Sequence, residues 1–596
     1  MKLNVNPKHR IFLQPKDSAK FLFNIIQKYS IEFILISIIL IGFILRASFS
    51  KTGLPYFYVT DAVHTFIPAI KMLKTGDFHP RAFNYGSLNI YLNLIVDFLH
   101  YISLMGKPET AEAFLTHIDD LIIGSKSIGI KTPWPWHISH PSFLHWGRLF
   151  TAVLGCGTVI VTYVLGRYLC NRWIGLMAAA SIAFLGSHIQ MSAKILPDVP
   201  VGLFFISATA FSIAFIRNNN RAYFFLALIF CGAAAATKIN GGLVVIAPIM
   251  TLAYLQLRRE ACVRPYDWFW IFLIPTIAFI AFMPYSVIDF TEFMKNFGRH
   301  IRIYKVTYSG ANALEPGWEN FVFQISLLKQ RFGLLPLLLT LPGIIYILRS
   351  PIRIVAFAPA VLYLLFLVGA RTGFYRNLVL LYPFVALLSS FGVYVLYRAL
   401  KNWQNYVPLK FSAWKQHLPQ FATVVALLAI VPNATSAIDI AAKQYGRHDN
   451  RTLASIELGA HARQKKVPQI IIAAELRFHA HDLKRIGVPY RVVSMTDIQS
   501  CKIPHKRSLL VVPERLKVIH SKNKKTLKKM VTGHGQLMKM LKKGRTISKY
   551  RGATTLIDTL FKNPAIVIVD INVSYARKLV TAISGGVFDL LDAVLE

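Results

Sequence analysis

The chain has 596 residues, of which 54% are hydrophobic and 13% aromatic. A soluble domain has about 45–50% apolar residues even when glycine is counted, so this composition indicates a membrane protein instead. The formal charge is +39, but the sequence has no RNA- or DNA-binding motif, and nucleic acid is therefore not predicted as a partner. The five cysteines show no Cys-x-x-Cys spacing, which argues against a zinc site of that type and against a disulfide framework.

The N-terminal arm, residues 1–30, is basic, which predicts a cytoplasmic location. The apolar run 31–49 follows it. This run is too long for a cleaved signal peptide and lacks a small-residue cleavage pattern, so we interpret it as a retained anchor.

Twelve apolar windows are candidate membrane spans, each long enough to approach or cross a hydrocarbon core of ~30 Å. They are 31–49, 87–105, 146–168, 173–191, 198–216, 221–236, 239–256, 268–287, 333–348, 353–370, 376–399 and 420–436.

Basic residues in the short loops predict which side of the membrane each loop occupies. They place the loops 50–86, 192–198, 237–240, 288–332 and 371–376 outside, together with the C-terminal region. Between the outer loop at 50 and the outer start of the window 146–168, only one clear window is present. The spans must therefore number eleven or thirteen, and the weakly apolar region 112–130 would supply the thirteenth.

The character of the chain changes near residue 437. The runs "QKKVPQIIIAAE" (464–475) and "RSLLVVPE" (507–514) are short strand-like segments between charged, helix-like stretches, a pattern typical of an α/β domain. The predicted fold is therefore mainly α: a polytopic helical membrane domain of 11–13 spans (31–436), followed by a small extracytoplasmic α/β domain (437–596). The basic tail suits anionic lipid headgroups.

Several ionisable residues lie within or flush against the predicted spans, where a charged group costs free energy and is usually functional. The predicted orientation places one set of them on the outer face: Asp61, Lys194, Asp198, Lys238, Asp289, Arg371 and Arg376. Basic groups can stabilise a phosphate, and a carboxylate can accept a proton. The set therefore suits a site that handles a phosphate and moves a proton.

Each of these residues also has a purely structural interpretation. Asp198 would cap the helix that follows it, and Lys238 and Arg376 would extend to the membrane interface. Asp61 would cap an amphipathic surface helix whose apolar positions run from Val63 to Leu73. The histidines 64, 79 and 140 are solitary loop residues, so a metal site is not indicated.

An ordered series of segments resembles a known class of enzymes. The outer-loop aspartate is followed by "FNYGSLNIYL" (83–92), "LMAAASIAFLGSHIQMSAKILPDVPVGLFF" (176–205), "AAATKINGGLVVIAP" (234–248) and "FYRNLVLLYPFVALL" (374–388). In this order they resemble the GT-C class of polytopic glycosyltransferases, in particular the protein O-mannosyltransferase and lipid A aminoarabinose transferase-like family. The resemblance covers most of residues 30–480.

The resemblance implies a lipid–phosphate–sugar donor and an active site on the outer face of the membrane. It implies that Asp61 activates the acceptor nucleophile, that Asp198 is a second acidic position, and that Lys238 belongs to a "TK" motif. Arg376 would contact the donor phosphate. Three positions depart from the family pattern, which often has a second acid where this chain has Ala62 and tyrosine where it has Ile239 and Asn377. The absence of an adjacent acid pair weakens the case for a bound metal.

The sequence thus predicts an inverting glycosyltransferase of the inner membrane with Asp61 as base. We assign Asp61 and Asp198 as catalytic, and four cations to the donor phosphate: Lys238, Arg376, Arg371 and Lys194. His64, Tyr85, Asp289 and Tyr382 are assigned to the substrate loops. The lipid-linked sugar donor is the only predicted cofactor-like ligand; a divalent metal is left open but is not indicated.

The predicted partners are membrane lipid, a polyprenyl-phosphate sugar and an acceptor that is a glycolipid such as lipid A, a protein or a glycan. The sugar and the oligomeric state do not follow from the sequence. The outer loop 289–332 is either a lid or a plain connector. A polytopic lipid or sugar transporter, or a flippase, is the alternative function, although the sequence shows no internal repeat of the kind typical of such proteins.

Overall fold

The computed structural model describes most of the chain from Ser30 to Ile571. The described residues are 30–57, 59–81, 83, 85–105, 122–123, 136–138, 140–260, 262–306, 312–404, 417–445, 449–465, 469–476, 478, 480–493, 508–513, 545–550 and 566–571. The predicted N-terminal arm, most of the region 112–130, and much of the basic tail lie outside these residues. The chain divides into two compact units, which are described separately below.

The first unit comprises the chain up to Ala47, Asp77–Ile95 and Arg148–Ala442. It consists of helices, and three of them, α3, α4 and α17, continue beyond its bounds. In chain order they are α1 (Ser30–Ala47), α3 (Leu88–Met105), α4 (Pro141–Leu169), α5 (Arg172–Ala183), α6 (Gly186–Ser192), α7 (Asp198–Asn218), α8 (Arg221–Thr237), α9 (Ile246–Leu257), α10 (Asp267–Phe282), α11 (Tyr285–Ile288), α12 (Phe290–Lys305), α13 (Trp318–Phe332), α14 (Leu334–Leu348), α15 (Pro351–Val368), α16 (Tyr382–Trp403) and α17 (Leu418–Gln444). Helix α2 belongs to the second unit. Short 3-10 turns at Ile239–Val245 and Tyr375–Leu381 lead into α9 and α16.

All twelve predicted windows coincide with helices of this set. Seven helical segments are long and apolar enough to cross a membrane, or up to nine if each of two sharply bent pairs is one span, and three shorter apolar helices accompany them within the described residues. Large apolar side chains on these helices are exposed, including Leu40, Phe272 and Leu365, as expected for surfaces that face lipid. The chain is therefore a polytopic helical membrane protein, whereas the total of eleven or thirteen spans and the orientation remain predictions.

Helices α14 and α16 pack closely because glycine faces backbone on both sides. A Cβ on Gly343 would lie 2.1 Å from the Leu388 carbonyl oxygen, and a Cβ on Gly392 would lie 1.9 Å from that of Leu339. Small residues at a contact between helices allow such close approach, which is how membrane helices gain packing energy without a hydrophobic driving force. This pair helps to fix the start of α16, where part of the candidate site lies.

The second unit comprises Ser48–Gly76, Val96–Gly147 and the chain from Lys443 onward. It contains α2 (Val63–Thr75), α18 (Asn450–Lys465) and α19 (Ala480–Ile486). A small antiparallel sheet of order β1–β3–β2 is formed by β1 (Tyr56–Phe57), β2 (Ile122–Ile123) and β3 (Trp136–Ile138). The amphipathic helix predicted after Asp61 is α2, with Phe66, Ala69 and Ile70 buried.

A five-stranded sheet forms the centre of the C-terminal part of this unit. Its strands are β4 (Gln469–Ala473), β5 (Tyr490–Val493), β6 (Ser508–Pro513), β7 (Arg545–Tyr550) and β8 (Ile566–Ile571), in the order β5–β4–β6–β8–β7. Strand β4 is parallel to β5 and β6, whereas β8 is antiparallel to β6 and β7. The prediction of a small α/β C-terminal domain is confirmed for the described residues. Both strand-like segments that the sequence indicated, around 464–475 and 507–514, contain strands of this sheet.

Candidate active site

The centre of the candidate site, within the first unit, is a buried ion pair. Asp198 is the first residue of α7 and is 1% exposed, and Lys238 follows the last residue of α8 and is 7% exposed. Lys238 Nζ donates to Asp198 Oδ1 at 2.7 Å and to Asn377 Oδ1 at 2.8 Å. A buried ammonium with two oxygen acceptors is well compensated for its loss of water, so this ion pair fixes three separate segments of the chain to one point.

Two of the structural interpretations of these residues are wrong. Asp198 does not cap α7 with its side chain, because the capping position is Pro197 and no side-chain hydrogen bond is made there. Lys238 does not extend to an interface, since its ammonium is buried against Asp198 and Asn377.

Two polar atoms of the ion-pair centre have no hydrogen-bond partner among the described residues. They are Asp198 Oδ2, an acceptor, and Asn377 Nδ2, a donor. A buried polar atom without a partner carries a free-energy cost that a substrate hydroxyl or phosphate oxygen can remove. The centre therefore presents both an acceptor and a donor to a bound molecule.

Cations surround the ion pair in excess of acids. Lys194 is 3% exposed, and its pKa is lowered to about 8, first because burial removes the ammonium from water and then because Arg376, Arg331 and Arg148 repel it. Asp198 opposes this shift. A group of four buried and half-buried cations next to the Asp198–Lys238 ion pair is typical of an anion-binding site.

Aromatic rings lie between these cations. Lys194 Nζ is 5.9 Å from the centroid of the Tyr375 ring, and the Arg331 guanidinium carbon is 5.5 Å from the same centroid. The Arg376 guanidinium carbon is 5.9 Å from the centroid of the Tyr85 ring. Cation–π contacts of this kind hold the charged groups in place.

Glycine at position 86 brings Tyr85 to this place. The Gly86 amide donates to the carbonyl oxygen of Thr237 at 3.2 Å, and a Cβ on Gly86 would lie 2.0 Å from the carbonyl oxygen of Ala236. Only glycine can approach the end of α8 so closely. The segment that carries Tyr85 is thereby attached to Thr237, the residue directly before Lys238.

A cavity of about 350 Å³ lies in the first unit next to Lys238. Its lining is mostly aromatic and aliphatic and includes Tyr85, Leu243, Phe297, Tyr304 and Phe366, with Lys238, Asn240 and Lys305 among the polar members. Helix α12 supplies one wall. This volume and this lining are typical of a site for an apolar ligand that is oriented by a few polar groups.

The other predicted site residues of the first unit have different surroundings. Arg371 is partly exposed and pairs with Glu315 at 3.4 Å. Asp289 caps α12 by accepting from the Glu292 amide and contacts His79 Nε2 at 3.1 Å. Tyr382, 1% exposed, contacts Phe332 with ring centroids 5.6 Å apart. The structure therefore joins Lys194, Asp198, Lys238, Arg376 and Tyr85, but it does not bring Arg371 or Asp289 into that group by any described contact.

Asp61 and His64 belong to the second unit. Asp61 lies in a 3-10 turn, Thr60–Ala62, that leads into α2. The cap of α2 is Ala62 and makes no side-chain hydrogen bond, so the capping interpretation of Asp61 is wrong. His64 is an exposed residue in the first turn of α2.

Arg331 is not among the residues predicted from the sequence, and neither Asn377 nor Arg148 has a predicted role. Arg331 stands directly before the apolar run that begins near residue 333, the same signal that selected Lys194, but it was included in the outer loop 289–332. Arg148 lies near the start of the predicted window 146–168 and is 2% exposed. The described residues contain no group of three His, Cys, Asp or Glu side chains that could hold a metal ion. Tyr308, in the predicted lid, lies outside the described residues.

Residues 136–297 match the family model of dolichyl-phosphate-mannose-protein mannosyltransferases. This match confirms the resemblance drawn from the sequence and the enzyme class, a glycosyltransferase. A search of curated protein sequences finds no match.

Three solved structures are similar in fold. They are the apo oligosaccharyltransferase of Archaeoglobus fulgidus (TM-score 0.47, 14% identity, 82% of this chain and 70% of that chain), ArnT of Cupriavidus metallidurans bound to undecaprenyl phosphate (0.43, 11%, 91% and 98%) and the Saccharomyces cerevisiae protein O-mannosyltransferase Pmt1–Pmt2 complex bound to the sugar donor (0.29, 21%, 48% and 36%). All three TM-scores lie below 0.5, too low to support a conclusion about activity.

Proposed function

We propose that the chain transfers a sugar from a polyprenyl-phosphate donor to an acceptor of the cell envelope, with inversion, on the outer face of the inner membrane. The observation that carries the proposal is the group of buried and half-buried cations, Lys194, Arg331 and Arg376, beside an apolar cavity. A lipid-linked sugar has the matching chemistry, because an anionic phosphate in it joins a long apolar chain to a sugar.

The cations would act on the leaving group. In the transfer, an acceptor oxygen forms a bond to the anomeric carbon, and the bond from that carbon to the phosphate oxygen breaks. The electron pair of that bond remains on the phosphate, which gains negative charge as it leaves. Fixed positive groups in a site shielded from water stabilise such a developing charge strongly, and Lys194 and Arg376 are held in this way by burial and ring contacts.

The cavity would receive the first part of the polyprenyl chain. The wall of the cavity is aromatic and aliphatic, and Lys238 is one of the residues that line it. An apolar chain in this cavity would put its phosphate end toward the ion-pair centre. There Asp198 Oδ2 and Asn377 Nδ2 are available to hydroxyl groups of the sugar.

The acceptor must lose a proton, and Asp61 is our candidate for the base. This role rests on the family resemblance, in which the outer-loop aspartate activates the acceptor nucleophile. The acceptor remains a glycolipid such as lipid A, a protein or a glycan.

The test uses the purified full chain, a polyprenyl-phosphate donor with a labelled sugar, and envelope fractions as acceptors. Asp61→Asn should abolish transfer while the protein stays folded. Asp77→Asn is the matched control, since Asp77 lies in the same stretch of sequence, contacts Arg81 and is partly exposed. It should transfer as the wild type does.

Normal transfer by Asp61→Asn would overturn the role of Asp61. Movement of the intact donor across vesicle membranes, without transfer of the sugar, would favour the transporter or flippase. Mass spectrometry of lipid A and envelope glycans from a deletion strain would identify the acceptor.

A further inference from the structure

Tyr56, in the second unit, is held from two sides although it lies close to the start of the chain. Its side chain is fully buried. Tyr56 Oη donates to Asp482 Oδ2 at 2.5 Å, and the Arg451 guanidinium carbon lies 4.8 Å from the centroid of the Tyr56 ring. Both partners belong to the C-terminal part of the chain, so these contacts join segments about 400 residues apart in sequence.

Two further hydrogen bonds attach the same segment to the C-terminal part. Thr52 Oγ1 donates to the carbonyl oxygen of Gln444 at 3.1 Å, and the Asp449 amide donates to that of Leu54 at 3.4 Å. Thr52 and Gln444 are both 3% exposed. The attachment of residues 52–56 is therefore buried and continuous.

Arg451 is itself fixed before it contacts Tyr56. Its Nη1 donates to Asp449 Oδ2 at 3.1 Å and its Nε to the carbonyl oxygen of Leu476 at 2.6 Å. Arg451 is 4% exposed and Asp449 is fully buried. Buried polar networks of this kind are costly unless complete, and they favour one arrangement over others.

The contact with Tyr56 extends to the turn that carries Asp61. Phe57 follows Tyr56 in β1 and pairs with Trp136 of β3. The ring of Phe57 lies 6.0 Å from that of Phe66 in α2, centroid to centroid. The 3-10 turn Thr60–Ala62, which carries Asp61, therefore lies in sequence between two rings that contact each other, and the first of these rings directly follows Tyr56.

We infer that Tyr56 is a positioning residue: through its contacts with Asp482 and Arg451, the C-terminal domain fixes the turn that presents Asp61. The C-terminal domain would thereby take part in the reaction. This inference rests on the proposed function, because Asp61 is taken as the base.

The first measurement is hydrogen exchange of the full chain in detergent, followed on peptides that cover residues 57–66. Tyr56→Phe removes only the hydroxyl group, so we expect exchange in this segment to become about tenfold faster. Tyr445→Phe is the matched control, because Tyr445 is 78% exposed in the same unit, and its exchange should equal that of the wild type. Unchanged exchange in Tyr56→Phe would overturn the inference, whether or not the protein transfers sugar.

The second measurement separates positioning from general stability. For Tyr56→Phe we expect kcat for transfer to fall about tenfold while the donor KM stays as in the wild type. Asp482→Asn keeps an oxygen that can accept from Tyr56, so it should retain more kcat than Asp482→Leu. Equal losses in the two Asp482 variants, or a fall that follows only the melting temperature, would contradict the inference.

The two measurements also separate this inference from the proposed function. If the wild-type protein transfers no sugar, the proposed glycosyltransferase function is refuted. Faster exchange of residues 57–66 in Tyr56→Phe would still support the attachment of the turn. Normal transfer by Tyr56→Phe would refute the positioning role of Tyr56 and leave the proposed glycosyltransferase function standing.

Discussion

Lys238 Nζ lies 2.7 Å from Asp198 Oδ1, and both side chains are buried. The two residues are 40 positions apart and stand at the ends of consecutive helices, α8 and α7. Removing one member of a buried ion pair leaves a charge without compensation, which costs about 3–5 kcal/mol, whereas replacing both members is often close to neutral.

We therefore expect Lys238→Met to lower the melting temperature clearly in detergent, and the double variant Asp198→Asn/Lys238→Met to recover most of that loss. Neither protein should transfer sugar, because both lack the ammonium. Thermal unfolding and a transfer assay measure the two effects. A single Lys238→Met variant that melts as the wild type does would show that the pair is not formed in the membrane protein.

Arg331, which is not among the predicted site residues, provides a second prediction. Its guanidinium lies over Tyr375 and acts on Lys194 electrostatically. Arg331→Gln should raise the donor KM by about ten- to a hundredfold, the usual worth of a charge-assisted hydrogen bond.

Lys329→Gln is the control for Arg331. Lys329 lies two residues earlier on the same helix, carries the same charge and is exposed, so its loss should leave the donor KM unchanged. Equal increases in KM for the two variants would mean that Arg331 acts only through the net charge of the helix.

The structure brings the predicted site residues together to different degrees, and the reason is physical. Lys194, Asp198 and Lys238 could be found because an ionisable residue flush with an apolar run is expensive, whatever its partners are. Arg331 satisfied the same condition, but the predicted outer loop 289–332 contained its helix. The contact of Tyr56 with Asp482 could not be found, because it joins residues 426 positions apart and leaves no periodic pattern.

Arg371 and Arg376 offer a comparison within one short segment. Arg371 pairs with Glu315, the two side chains being 40% and 69% exposed, and such pairs contribute about 0–1 kcal/mol. Arg376 contacts Tyr85 and Phe374 and acts on Lys194. We expect Arg376→Gln to reduce kcat/KM for the donor by about tenfold or more and Arg371→Gln to change it less than about threefold. The opposite order would return Arg371 to the donor-phosphate site that the sequence predicted.

The pH dependence of donor binding should follow Lys194. Its pKa is lowered to about 8 by burial and by the neighbouring arginines, so the free enzyme loses this positive charge as the pH rises through 8. A phosphate binds more weakly to the uncharged form, and the donor KM should therefore rise between pH 7 and pH 9. Lys194→Arg keeps its charge at these pH values, so its donor KM should stay flat.

The same shift has the opposite effect on stability, which separates weaker binding from unfolding. Between pH 8 and the ordinary lysine pKa of about 10.4, the unfolded chain binds more protons at this residue than the folded chain does. The contribution of Lys194 to the free energy of unfolding therefore increases as the pH rises through this window. A rise in donor KM above pH 8 without a matching loss of folded protein would agree with titration of Lys194, and the same rise in Lys194→Arg would assign the effect to another group.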